Sequence, residues 1–307
     1  MRLYKTALYK LCHRKIFIIG ILVMVGVLVI DYGEIKGLSA HIDEIEYEYS
    51  QAGWSLFDVD YSVTMMVLGV VLLCIISTVF SHEEQTGMKS LLLAAQKGPD
   101  KDAIAKIAAA YTVSIGFWLI TTLILLLMHM AISGLSALKL PAGDILWHTS
   151  TVFEVFAQPL GLYLSEVILV SLLAVLELCA ITLAVSAGCR STFHSLCISM
   201  FCVIMPVMAF FMMRGTYSHI LFASDRSKPT VIAMLFALSV IYFFVNCLIF
   251  SSPFYLVWPD ILVEISGMAI GNYGEIGTIL FTVALGCIVM ILCIIKSYRR
   301  YQKPYDS

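Results

Sequence analysis

VFSHEEQTGMKSLLLAAQKGPDKDAIAKIAAAY, residues 79–111, decides the reading of the fold. It is the long polar interruption between two apolar blocks, 61–80 and 108–133, each long enough to cross a bilayer as a helix. Pro99 disfavours helix at Gly98, so the chain turns there and a short helix before it lies across the membrane plane. Leu91, Leu92 and Leu93 give that helix an apolar side needing cover, from the membrane boundary or from a groove on a partner. Glu83 and Glu84 follow the second span directly. They either place charge at the start of a helix beginning near Thr86 and meet a partner's basic residues, or are solvated cytoplasmic charges. A cytoplasmic helix-turn held between two spans can take force from a soluble partner into the membrane.

The composition agrees with repeated crossings. Of 307 residues, 60% are hydrophobic and 13% charged, which excludes an ordinary globular domain and a disordered chain. The net charge of -2 matters less than its distribution. Residues 1–15 carry Arg2, Lys5, Lys10, Arg14 and Lys15 and no acid, with Leu3, Ala7, Leu8 and Leu11 at helical spacing. This predicts an amphipathic helix along the inner leaflet, followed by an uncleaved first span at 16–30. The stretch 31–60 then reads as an acidic outer loop, with Glu34, Asp43, Glu44, Glu46, Glu48, Asp58 and Asp60 against Lys36. In it Ile42, Ile45 and Tyr49 outline a short helix.

Further spans are expected at about 160–188, 193–213 and 277–295, after an outer loop containing Pro141, Gly143, Trp147 and His148. Gly188, Cys189, Arg190 and Ser191 form a tight inner turn. Lys296, Arg299, Arg300 and Lys303 close the chain, so both termini are expected in the cytoplasm. Residues 231–250 are as apolar as the spans, and seven crossings would put that basic tail outside. Either 231–250 is re-entrant from the outer face, or it crosses and 193–213 is re-entrant. Basic Arg214, Arg226 and Lys228 favour the second option by charge.

Few residues invite chemistry. No G-x-x-x-x-G-K-[ST] is present, and His82-Glu83-Glu84-Gln85-Thr86 lacks the second His of a zinc-protease motif. The nine cysteines lie in or beside apolar segments without a C-x-x-C pair, which fits packing residues and neither a metal nor a disulfide framework. Glu166 and Glu177 stand eleven residues apart, about three turns, on one face of the fourth span. An ionised carboxylate there is costly unless it faces protein or water. His129 falls at a depth similar to Glu166 and could pair with it. The three residues either line a translocation path or subunit interface, or make structural interhelical hydrogen bonds. Tyr61, Trp147, Tyr163 and Trp258 read as interfacial anchors.

Taken together, these features resemble the permease subunits of type-2 ABC exporters. The carrying residues are Glu83 and Glu84, then Thr86-Gly87-Met88 (Met88 where the family has Thr), Leu91-Leu92-Leu93, Gly98-Pro99 and the basic stretch Lys101 to Lys106. Leu8-Tyr9-Lys10-Leu11 with Arg14-Lys15 is similar to the family's elbow helix, and Pro206 and the tail Tyr298 to Gln302 fit the same order. The resemblance implies an all-α polytopic membrane protein of six transmembrane helices. It also implies a cytoplasmic coupling helix between spans 2 and 3, an outer re-entrant segment at 231–250, and one permease domain over 1–307. Glu83, Glu84, Gly87, Met88, Leu91, Leu92 and Pro99 would belong to the coupling element.

The implied partners are a separate ATPase subunit, which would hold ATP and Mg²⁺, and a second permease in a homodimer or heterodimer. A lipid membrane is implied and nucleic acid is not. The expected location is the bacterial plasma membrane. The expected cargo is amphipathic: an antimicrobial peptide, a drug or a lipid. Two other functions fit the same residues: a proton-coupled secondary transporter relaying through Glu166, Glu177 and His129, and a non-transporting membrane scaffold. The Leu-rich helix before a Pro turn favours the exporter, since a proton-coupled carrier has no need of it.

Overall fold

The computed structural model describes residues 2–41, 54, 56–88, 99–141, 159–203 and 274–302. These form α1 (Arg2–Cys12), α2 (Lys15–His41), α3 (Phe57–Ile76), α4 (Thr78–Gln85), α5 (Pro99–Ser133), a 3-10 turn (Ser136–Lys139), α6 (Leu160–Ser186), α7 (Thr192–Val203) and α8 (Gly274–Gln302). Among the described residues there is no strand beyond one isolated bridge, Pro141 to Pro159. Among the described residues four stretches are long and apolar enough to cross a membrane: Lys15–Gly37, Asp60–Gln85, Lys101–Ser133 and Leu160–Ser186. The chain is an α-helical membrane protein. Segments 204–213 and 231–250, the Ile42–Tyr49 helix, and Trp147, Trp258 and Pro206 lie outside the described residues.

The bundle is apolar outside, and its largely apolar core carries buried polar side chains. On α2, Ile18, Leu22, Val25, Val29 and Ile30 are exposed, and on α5 so are Leu119, Ile120, Leu123 and Leu127. Lipid tails cover such ridges without penalty, so packing and interhelical hydrogen bonds must hold the helices together. The buried set accordingly includes Thr64, Ser114, Thr121, Ser171, Thr182 and Ser186 among Leu68, Leu72, Ile75, Leu178 and Leu183. Helix α6 sits centrally, packed against α3, α5 and most extensively α8, while α2 packs on α3 and α1 on α5.

Several helices overrun the bounds read from the sequence, and two of them draw in aspartates. The first span does not stop at residue 30: α2 continues through Asp31 to His41. Asp60 likewise lies inside α3, and both aspartates are buried rather than part of an outer loop. Each has a partner that the linear pattern hides, Thr64 for Asp31 and His129 for Asp60. Tyr61 and Tyr163 are also buried, not interfacial; Tyr61 shares a 2.5 Å hydrogen bond with Ser171 of α6.

The second span is broken at Ser77, between α3 and α4. Ser186 of α6 inserts its hydroxyl into the break. Its Oγ accepts from the backbone N–H groups of Phe80 and Ser81, at 3.1 and 3.2 Å, and donates to the Ser77 carbonyl at 2.8 Å. A side chain entering the helical ladder is a recognised cause of a break, and it also satisfies the N–H groups that the new helix start would leave orphaned. Beyond it, α4 ends at Gly87, whose positive φ of 71° suits a residue without a Cβ just past a helix end.

Candidate functional site

The densest charge cluster among the described residues joins three helices, α4, α5 and α8, near one end of the bundle. Lys106 of α5 reaches Glu83 at the end of α4 and Asp102 one turn earlier on its own helix. It also donates to the Tyr301 hydroxyl of α8 at 2.8 Å. That hydroxyl in turn faces Asp102 Oδ2 at 2.8 Å and Glu83 Oε2 at 3.2 Å. With one proton to give, it donates to Asp102 at the shorter distance and accepts from Lys106. Below the ammonium lie the Tyr301 ring, 4.6 Å from its centroid, and the Phe80 ring at 5.9 Å. A cation over two aromatic faces gains attraction from both.

A second cation completes the balance. Arg14, between α1 and α2, donates to the Thr78 carbonyl at 2.8 Å and to its hydroxyl. Burial lowers its affinity for the proton, and the charge on Glu83 opposes that fall. Glu83, Asp102, Lys106 and Arg14 together carry no net charge, so they can be buried as a group where none could be alone. Burial also pushes the Tyr301 phenol up, as do the neighbouring Glu83 and Asp102 carboxylates, which keeps its proton in place.

Counting residues along the helices places this cluster in depth. Thr78 precedes Glu83 by five positions and Thr112 follows Lys106 by six. At about 1.5 Å per residue, both stand about 8–9 Å on the membrane side of the cluster. Arg14 binds Thr78, and Tyr4 binds Thr112 at 3.0 Å. Thus α5 and the start of α4 are both tied at this level to α1, through Tyr4 and through Arg14 just past its end. Helix α4 and the start of α5 extend beyond it as two arms, and residues 89–98 connect them.

The coupling residues expected from the sequence fall into different surroundings. Glu83 is not a solvated or partner-facing charge; it is 8% exposed and held by Lys106. Glu84 is half-buried, and Gly87 and Met88 are exposed beyond the end of α4. Pro99 is the first residue of α5, while Leu91 and Leu92 lie outside the described residues. Gln85 adds a link to α7, accepting from Thr192 at 3.2 Å.

The membrane-embedded candidates do not form one stripe. His129 is fully buried, but its nitrogen Nε2 lies 3.4 Å from Asp60, not beside Glu166. Trp54 stacks on its ring at 5.6 Å between centroids, and Phe57 meets it edge-on at 5.1 Å. The Trp54 indole also donates to the Gly134 carbonyl at 3.1 Å, which fixes the ring over the end of α5. Nearby, Thr64 donates to Asp31 at 2.5 Å. Deeper, Trp118 donates to Ser171 at 2.9 Å. Glu177 is buried opposite Gly286 of α8, and Glu166 is half-buried.

Sequence reasoning missed Asp31, Asp60, Lys106, Asp102 and Tyr301 as members of sites. The i, i+4 spacing of Asp102 and Lys106 was a usable signal; the contact of Tyr301 with residues about two hundred positions earlier was not. Among the described residues no group of three His, Cys, Asp or Glu is placed to hold a metal ion. No protein-family model, no curated protein and no solved structure matches the chain.

Proposed function

We propose that the chain is the membrane-spanning permease subunit of a type-2 ABC exporter. It moves an amphipathic substrate outward with ATP hydrolysed, with Mg²⁺, by a separate subunit. One observation carries the reading: two helical arms, α4 and the start of α5, stand beyond α1 and are locked to each other and to α8 by the Glu83–Lys106–Asp102–Tyr301 cluster. A push on residues 89–98 is then not absorbed by sliding of one arm against the other. It passes through Lys106 into Tyr301 and the last helix, and through Ser186 into α6. Rigid-body movement of packed helices is the expected response.

The same reading places the complex in the bacterial plasma membrane as a homodimer or heterodimer of permeases, with both termini in the cytoplasm by the charge rule. Six crossings, with 231–250 re-entrant, complete it. Purification in mild detergent tests it: an ATPase subunit and a second permease are expected to accompany the chain. Isolation of the chain alone, with no ATP-dependent transport in vesicles, would count against the exporter.

A proton-coupled carrier is the second reading. The buried Asp60–His129 and Asp31–Thr64 pairs favour it, since ionisable residues inside spans commonly serve proton or ion pathways. Transport that persists without ATP and collapses with the proton gradient would select it.

A further inference from the structure

We propose that α1 is a docking surface for the headgroups of anionic phospholipids in the inner leaflet, and that lipid seated there steadies the α5 arm. The inference goes beyond the exporter reading and does not depend on it. Helix α1 is pinned by Tyr4 to Thr112, and the turn that follows it by Arg14 to Thr78. The helix is thus held beside α5, where the first span begins. One face is occupied by protein: Leu11 is buried, and Leu8 and Cys12 are packed against the core.

The remaining surface is basic and apolar together. Arg2, Lys5 and Lys10 are exposed, and no acid occurs between Met1 and Lys15. Leu3 and Tyr9, 45% and 62% exposed, lie among them. Cations beside apolar side chains on a helix that leads directly into a span suit a layer that is anionic at the headgroups and apolar just beneath. A zwitterionic surface offers the apolar half of that match only. An acidic soluble protein offers the charge without the apolar layer, so lipid is the occupant to which both features are complementary. The Tyr4–Thr112 hydrogen bond leads from this surface to α5, two turns from Lys106.

The full-length chain in nanodiscs of phosphatidylcholine, with or without phosphatidylglycerol, provides the test. Hydrogen exchange of the amides of residues 2–12 is expected to slow about tenfold with phosphatidylglycerol. The slowing should vanish in the Arg2→Gln/Lys5→Gln/Lys10→Gln variant and, for the unsubstituted chain, at high salt, where surface attraction is screened. Equal exchange in both lipids, or slowing that survives high salt, overturns the docking surface even if the triple variant fails to insert. In Tyr4→Phe the effect should remain on residues 2–12 and be lost from 101–112 of α5. Unaltered slowing of the α5 amides would overturn the link to the arm.

Discussion

Replacing Lys106 with Met keeps an unbranched side chain, one heavy atom shorter, and removes its charge. Glu83 and Asp102 would then face each other and Tyr301 with only Arg14 to balance them. The side chains of Lys106, Glu83 and Asp102 are 8%, 11% and 15% exposed, so water does little to screen the loss. Removing one member of such a buried pair costs about 3–5 kcal/mol, against about 0–1 kcal/mol for a pair on the surface. The measurement is unfolding of the purified chain in mixed detergent–SDS micelles, comparing Lys106→Met with the triple Lys106→Met/Glu83→Gln/Asp102→Asn. The single variant should lose about 3 kcal/mol or more, and the triple should recover much of that because the unpaired charges are gone. A loss near zero in Lys106→Met, or a triple variant that is worse still, would refute the cluster as a buried lock.

Other consequences follow from particular contacts. Ser186→Ala strands the backbone N–H groups of Phe80 and Ser81 at the Ser77 break, whose carbonyl keeps the Ser81 hydroxyl, at a cost of about 1–3 kcal/mol; an unaltered midpoint in the same assay would mean that the break needs no support. Burial pushes the Cys189 thiol up from 9.0, with Arg300 opposing. Because the thiolate is the reactive form, its maleimide labelling should still climb with pH above that value, and Arg300→Gln should displace the profile to higher pH. A profile levelling off below 9.0 would contradict this. Neutralising Asp43, Glu44, Glu46 and Glu48 to Asn or Gln should weaken export of, or resistance to, a cationic amphipathic peptide, more at low salt than at high; an unchanged response at both leaves these acids to topology alone.

What the sequence made legible was what repeats along it. Apolar length located the cores of α2, α3, α5 and α6, and helical spacing with basic residues located α1. Span ends were less legible because apolarity is a local criterion, whereas burial is decided by the neighbour. Asp31 and Asp60 look like loop residues until Thr64 and His129 are opposite them. Glu83 followed the same logic in reverse: its position after an apolar run predicted solvent, and Lys106 of the next helix drew it in. The break at Ser77 has no Pro or Gly to announce it, because its cause is a hydroxyl on another helix. The His129 pairing was misread for a related reason: depth along two helices could be counted, but the direction in which each side chain points across the bundle could not.

The exporter account stands on residues 89–98 meeting an ATPase. A photo-crosslinking amino acid at Leu92, in the full-length chain within its native membrane, tests this most directly. The account predicts one adduct with a soluble subunit that binds ATP, reduced when Lys106→Met loosens the two arms. Adducts confined to lipid, or to the chain itself, would contradict it.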